Sequence, residues 1–114
     1  MTAKTYLVTG AAGFIGNHLT RLLSAQGHRV LAVDIELHAN AAEQIATLKA
    51  LPGVTYQQAD LTKTEDVAAL PQVDGVYHLA ALNGTQHFYS SPFDTLKQTT
   101  IPTVLLLEHY AQFP

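Results

Sequence analysis

Thr9-Gly10-Ala11-Ala12-Gly13-Phe14-Ile15-Gly16 joins an apolar run, Tyr6-Leu7-Val8, to a stretch whose apolar residues fall at helical spacing. Three glycines at intervals of three between a strand and a helix each have a physical use. Gly10 permits the tight turn out of the strand, and Gly13 removes a side chain where backbone N–H groups must come close to a ligand. Gly16 lets the helix approach the sheet. The helix N-terminus adds oriented N–H groups and about half a positive charge, which suits phosphates. Glycine turns after strands are also common for purely structural reasons, so the loop needs support from elsewhere in the chain.

Reading outward, the rest of the chain repeats the same unit. Phe14 to Gln26 carries Ile15, Leu19, Leu22 and Leu23 on a helical period, and Gly27 stands where a left-handed cap would end it. Arg29 to Asp34 is a second apolar strand, and Ala41 to Leu51 a modest helix with Ile45 and Leu48 on one side. Pro52-Gly53 punctuates the chain before a third strand, Val54 to Gln58. Thr62-Lys63-Thr64-Glu65 fits a capping box, predicting a short helix that ends near Leu70-Pro71. Gly75 to Leu79 is a fourth strand, and Pro92 opens a longer helix toward Gln112. Its apolar stripe is Phe93, Leu96, Thr100, Val104 and Leu107, and Pro102 inside it predicts a kink.

Strands alternating with helices predict an α/β fold with a parallel sheet, and continuous apolar strands predict burial on both faces. The expected architecture is a partial Rossmann-type doubly wound sheet of about four strands in the order 3-2-1-4, with helices on both faces. With 114 residues the chain, 1–114, is one domain. Hydrophobic residues make up 47% and charged residues 13%, a globular composition. The absence of cysteine excludes disulfides, thiolate metal sites and a cysteine nucleophile. A net charge of −3 argues against nucleic acid as a partner. Neither a signal peptide nor an apolar run long enough for a membrane span is present, so a cytoplasmic location is expected.

Asp34 lies 18 residues after Gly16 at the end of the second strand, near the spacing of a carboxylate that binds ribose hydroxyls. Such a carboxylate repels a 2′-phosphate, so NAD is preferred over NADP. The alternative is an ordinary strand-end aspartate. Asp60-Leu61 follows the third strand, either against an adenine ring or as a helix entry. Leu79, Ala80 and Ala81 end the fourth strand with small residues that leave room for a cofactor or simply fill a tight core. Six histidines stand at 18, 28, 38, 78, 87 and 109, with no pair at zinc-binding helical spacing, so no metal ligand is assigned. Neither a Gly-x-Ser-x-Gly elbow nor a P-loop occurs.

Taken together these motifs resemble the extended short-chain dehydrogenase/reductase family, the NAD-dependent epimerase/dehydratase group acting on nucleotide sugars. Thr9-Gly10-x-x-Gly13-x-x-Gly16 matches its cofactor loop, Asp34 its ribose aspartate, Asp60-Leu61 its adenine contact and His78-Leu79-Ala80-Ala81 its fourth-strand motif. Asn83-Gly84-Thr85, Phe88-Tyr89 and Pro92 are similar to a loop that in some members borders nicotinamide and sugar nucleotide. The resemblance implies a cofactor-binding set of Gly10, Gly13, Phe14, Ile15, Gly16, Asp34, Asp60, Leu61, Leu79, Ala80 and Ala81, with NAD and a nucleotide sugar as ligands.

Two departures stand out. Where the family carries Asn-x-x-Gly-Thr in its long helix, this chain has Thr99, Pro102 and Thr103. The family's reaction also uses a Tyr-x-x-x-Lys pair, the lysine lowering the tyrosine pKa. The residues four after Tyr6, Tyr56, Tyr77, Tyr89 and Tyr110 are Gly10, Asp60, Ala81, Phe93 and Pro114. No catalytic residue is therefore assigned, and the expectation is the NAD-binding first part of a longer enzyme. A stand-alone nucleotide-binding module and an oligomerising module without activity are the alternatives. Self-association through the fourth strand or the last helix is expected, each presenting apolar surface.

Overall fold

Alternation of side chains along each strand sorts the core. Val8, Val30 and Ala32 turn one way and form a buried cluster with Ala11, Leu23 and Leu48. Leu7, Thr9, Leu31 and Val33 turn the other way and are buried as well. Both faces of the first two strands are thus withdrawn from water, as a parallel sheet requires. The structure is a computed structural model that describes residues 3–35, 41–80 and 89–113. Its elements are β1 (Thr5–Thr9), α1 (Phe14–Ala25), β2 (Arg29–Asp34), α2 (Ala41–Lys49), β3 (Val54–Gln58), α3 (Thr64–Ala68), β4 (Gly75–His78) and α4 (Pro92–Ala111). The strands form one parallel sheet in the order β3-β2-β1-β4, as the sequence predicts.

The chain divides into two compact units, Met1–Gln58 with Val73–Leu79, and Ala59–Gln72 with Ala80–Pro114. The first holds the whole sheet with α1 and α2. Helix α1 ends as its sequence predicts. Gly27 has φ 85°, its N–H donates to the Ser24 carbonyl at 3.0 Å, and the His28 N–H donates to Leu23 at 3.1 Å. In the sheet, β3 and β4 are edge strands and only partly buried, a correction to the expectation that every strand is covered on both faces.

Strand β4 is fastened to β1 at both ends by side chains. At the start, the Thr5 N–H donates to Asp74 Oδ2 at 2.8 Å while the Asp74 N–H donates to the Thr5 carbonyl at 2.7 Å. At the far end, the Leu79 N–H donates to Thr9 Oγ1 at 2.9 Å. Between them, Gly75 pairs with Tyr6 in the ladder, and a Cβ added there would stand 2.9 Å from two Tyr6 ring carbons.

In the second unit, Leu61, Val67, Leu70, Pro102 and Leu106 are buried. Leu70 and Pro71 come after α3, which ends at Ala68, earlier than expected. Their carbonyls receive His109 Nε2–H and the Tyr110 hydroxyl, each at 2.8 Å. Burial pushes the Tyr110 phenol up to about 12. The capping box does not form. Lys63 is the N-cap and makes no side-chain cap bond, and the Thr62 hydroxyl instead donates to Asp60 Oδ1 at 2.6 Å. A carboxylate two residues back is a stronger acceptor, and one that the box pattern ignores.

Helix α4 runs unbroken through Pro102, whose ring is fully buried. Leu106 shares that buried side. The stripe of Phe93, Leu96, Val104 and Leu107 faces outward.

Candidate functional site

Three successive amides of the turn from β1 into α1 are bonded within the protein. The Ala11 N–H donates to the Val33 carbonyl at 3.2 Å, the Ala12 N–H to Asp34 Oδ2 at 2.9 Å, and the Gly13 N–H to the Gly10 carbonyl at 3.0 Å. Gly10 makes the turn with φ 66°, open to glycine at no steric cost. Gly16 is pressed onto it, and an added Cβ would lie 2.2 Å from the Gly10 oxygen. The turn expected of Gly10 is seen, and the close approach at Gly16 is to the backbone of the loop itself.

The first helical bond of α1 runs from the Asn17 N–H to the Gly13 carbonyl at 2.9 Å. The amides of Phe14, Ile15 and Gly16 therefore precede the intrahelical ladder. Gly13 is the N-cap and offers no side chain to cap them, and no acidic residue sits in that first turn. The side chains of Phe14 and Ile15 are exposed, at 81% and 65%. What remains is a 12-residue helix whose positive end meets solvent across glycine.

Asp34 ends β2 beside this loop and is almost wholly buried, at 4% exposed. Leu79 belongs to the same unit as the glycine loop and packs partly buried against its core. Asp60, Leu61 and Ala80 belong to the second unit, and Ala81 lies outside the described residues, as do Asn83-Gly84-Thr85 and Phe88. Asp60 Oδ1 accepts both the Thr62 N–H at 3.0 Å and the Thr62 hydroxyl, so the carboxylate serves the entry to α3. Asp60 N–H in turn donates to Asp66 Oδ2 at 2.8 Å. Among the described residues, no three His, Asp or Glu side chains stand together as a metal site, and no helix is long and apolar enough to cross a membrane.

Two side-chain arrangements near the loop, one at Thr9 at the end of β1 and one at Asn17 in α1, were not anticipated from the sequence. Thr9, fully buried, bonds His78 Nδ1 at 2.7 Å through the same hydroxyl oxygen that accepts the Leu79 N–H. Only a threonine or serine at the last strand position could have signalled this. Asn17, one residue beyond the glycine motif, is buried with Nδ2 unbonded while its Oδ1 accepts the Arg21 Nε–H at 2.8 Å. Burial lowers the pKa of His78. The neutral ring is therefore favoured in the folded chain, and the contribution to stability is full above pH 6.5, the ordinary histidine value. It is lost as the pH falls through the lowered folded value, since the unfolded histidine takes up a proton first. An NMR titration of the imidazole is expected to show its midpoint below 6.5. A midpoint at or above that value would contradict the buried placement.

Residues 6–113 match the model of the NAD dependent epimerase/dehydratase family. A dTDP-4-dehydro-6-deoxy-D-allose reductase from a Streptomyces species is 39% identical over 90 residues, covering 75% of this chain and 27% of the relative. UDP-glucuronic acid decarboxylase 1 from Danio rerio is 32% identical over 105 residues, or 91% of this chain and 24% of that protein. Among solved structures, the dTDP-glucose 4,6-dehydratase DesIV from Streptomyces venezuelae, with NAD bound, superposes with a TM-score of 0.84 at 26% identity, over 95% of this chain and 36% of that one. UDP-glucose-4-epimerase from Stenotrophomonas maltophila, also with bound NAD, gives 0.79 at 29% identity, over 95% and 34%. The chain thus spans about a quarter of the length of these curated relatives.

Proposed function

Because the chain belongs to the NAD-dependent epimerase/dehydratase family, we propose that it is the NAD-binding portion of an oxidoreductase acting on a nucleotide sugar. The observation that carries this reading is the uncapped start of α1, where the amides of Phe14, Ile15 and Gly16 precede the helical ladder behind a glycine N-cap. Gly10, Gly13 and Gly16 shape the loop, and the three amides hold the pyrophosphate. Asp34 binds the adenosine ribose and disfavours a 2′-phosphate. Asp60 and Leu61 contact the adenine, and Leu79, Ala80 and Ala81 line the floor of the cofactor site. Bound NAD would supply a hydride acceptor for a sugar carbon. With no Tyr-x-x-x-Lys pair among its residues, the 114-residue chain binds NAD and does not turn over by itself. The cytoplasm is its proposed location.

Calorimetric titration of the chain with NAD and with NADP tests this. Saturable NAD binding that is at least about tenfold tighter than NADP is expected. No detectable binding at millimolar NAD would sink the reading. The outward apolar stripe of α4 favours a second property, self-association, which an oligomerising module without activity would also show.

A further inference from the structure

The bond between Asp34 and the glycine loop carries a consequence for cofactor choice. Register along β1 and β2 ends at the pair Thr9 and Val33. Beyond it Gly10 swings the chain out of the strand, yet two more amides must be satisfied in a buried place. Ala11 finds the Val33 carbonyl. Ala12 finds no backbone carbonyl; its N–H reaches Asp34 Oδ2 at 2.9 Å, with Ala12 at 3% and Asp34 at 4% exposure. The carboxylate thereby continues the β1–β2 ladder past the point where backbone geometry permits it. A charged acceptor makes this one of the stronger bonds in the loop. The Ala12 methyl group is held from the other side, packed with Ile45 of α2.

We propose that Asp34 is a positioning residue for the glycine loop as well as the ribose ligand, so that cofactor selectivity cannot be switched by removing it. The ribose half rests on the NAD-binding reading; the loop half does not. If Asp34 only touched ribose, its loss would relieve repulsion of a 2′-phosphate and improve NADP binding. As the anchor of Ala12, its loss also releases the turn that aims the amides of Phe14, Ile15 and Gly16, and both cofactors suffer. Asparagine keeps an oxygen for the Ala12 N–H while discarding the charge, so it separates the two roles.

The test begins with amide hydrogen exchange on the ligand-free wild-type protein, where the Ala12 amide is expected to exchange at least about tenfold more slowly than that of Phe14, after correction for intrinsic rates. Equal rates would overturn the anchor with no variant needed. In Asp34→Ala the Ala12 amide is expected to exchange about tenfold faster or more, with NAD binding lost and NADP bound no better than by wild type. In Asp34→Asn the Ala12 protection persists and the preference for NAD over NADP shrinks by about tenfold. Tighter NADP binding by Asp34→Ala, or unchanged Ala12 exchange in it, would refute the proposal. Should Asp34→Ala not fold, the wild-type and Asp34→Asn exchange rates decide the anchor. Failure of the wild-type chain to bind NAD would instead strike the cofactor reading and leave the exchange result standing.

Discussion

Gly16→Ala is expected to destabilise the chain by about 3 kcal/mol or more and to abolish cofactor binding, although helix propensity alone predicts the opposite sign. Alanine within a helix is favoured over glycine by about 1 kcal/mol, so a substitution judged by propensity should help. Position 16 is different because the new Cβ would stand 2.2 Å from the Gly10 oxygen and 2.9 Å from the Ala11 Cα, both backbone atoms. Backbone atoms cannot turn aside as a side-chain end can. Relief requires α1 to lift from the loop, which breaks the Gly13–Gly10 bond and moves the amides of the first turn. The steric term therefore outweighs propensity several-fold. Urea unfolding and an NAD titration of the variant measure the two consequences. A useful control is Gly27→Ala, where nothing lies within 4 Å and only the positive φ of 85° opposes a side chain. That change should cost about 1–2 kcal/mol and leave the loop intact. A Gly16→Ala protein as stable as wild type would mean that the helix does not sit so close.

The contrast between these glycines marks what a sequence can and cannot disclose here. Local signals were legible. The spacing Gly10, Gly13, Gly16, the helical period of α1, the cap at Gly27 and the apolar runs of β1 and β2 all led to the observed elements, and chain order led to the sheet order β3-β2-β1-β4. Competition between local acceptors was not. Thr62 to Glu65 satisfies a capping pattern, yet Asp60 captures the Thr62 hydroxyl because two residues of separation form an Asx turn at little entropic cost. Long-range bonds were illegible for a simpler reason. Thr9 and Leu79 are 70 residues apart, and nothing in either residue type announces the other. The same holds for Asp34 and Ala12. A carboxylate at a strand end was expected to face a ligand, and the structure shows one of its oxygens turned toward the protein's own backbone. At the candidate site, residue identity conveyed which groups are present, while burial and hydrogen bonding decided which are already engaged.

Self-association through α4 is the second large effect expected. Phe93, Leu96, Val104 and Leu107 are 78%, 62%, 52% and 69% exposed, on a helix that buries Pro102 and Leu106 on another side. From Phe93 to Leu107 the stripe runs roughly 20 Å along the helix axis, and an antiparallel copy presents the same stripe in return. Each large apolar side chain taken from water contributes about 1.5–3 kcal/mol when fully buried. Supplied by both copies, that is comparable to or larger than the 4–15 kcal/mol lost when two chains associate. A dimer at tens of micromolar is therefore expected in sedimentation of the 114-residue chain. Leu96→Glu with Leu107→Glu places charge at both ends of the stripe and should return it to monomer, shifting the dissociation constant by a hundredfold or more. These positions are already in water, so the folded monomer should keep its unfolding midpoint. The edge of β4 provides the competing interface, with Val76 37% and Tyr77 40% exposed. A dimer that survives the α4 pair and dissociates on Val76→Lys would move the contact to that strand, since a charged edge resists pairing. A wild-type chain that sediments as a monomer would rule out both surfaces.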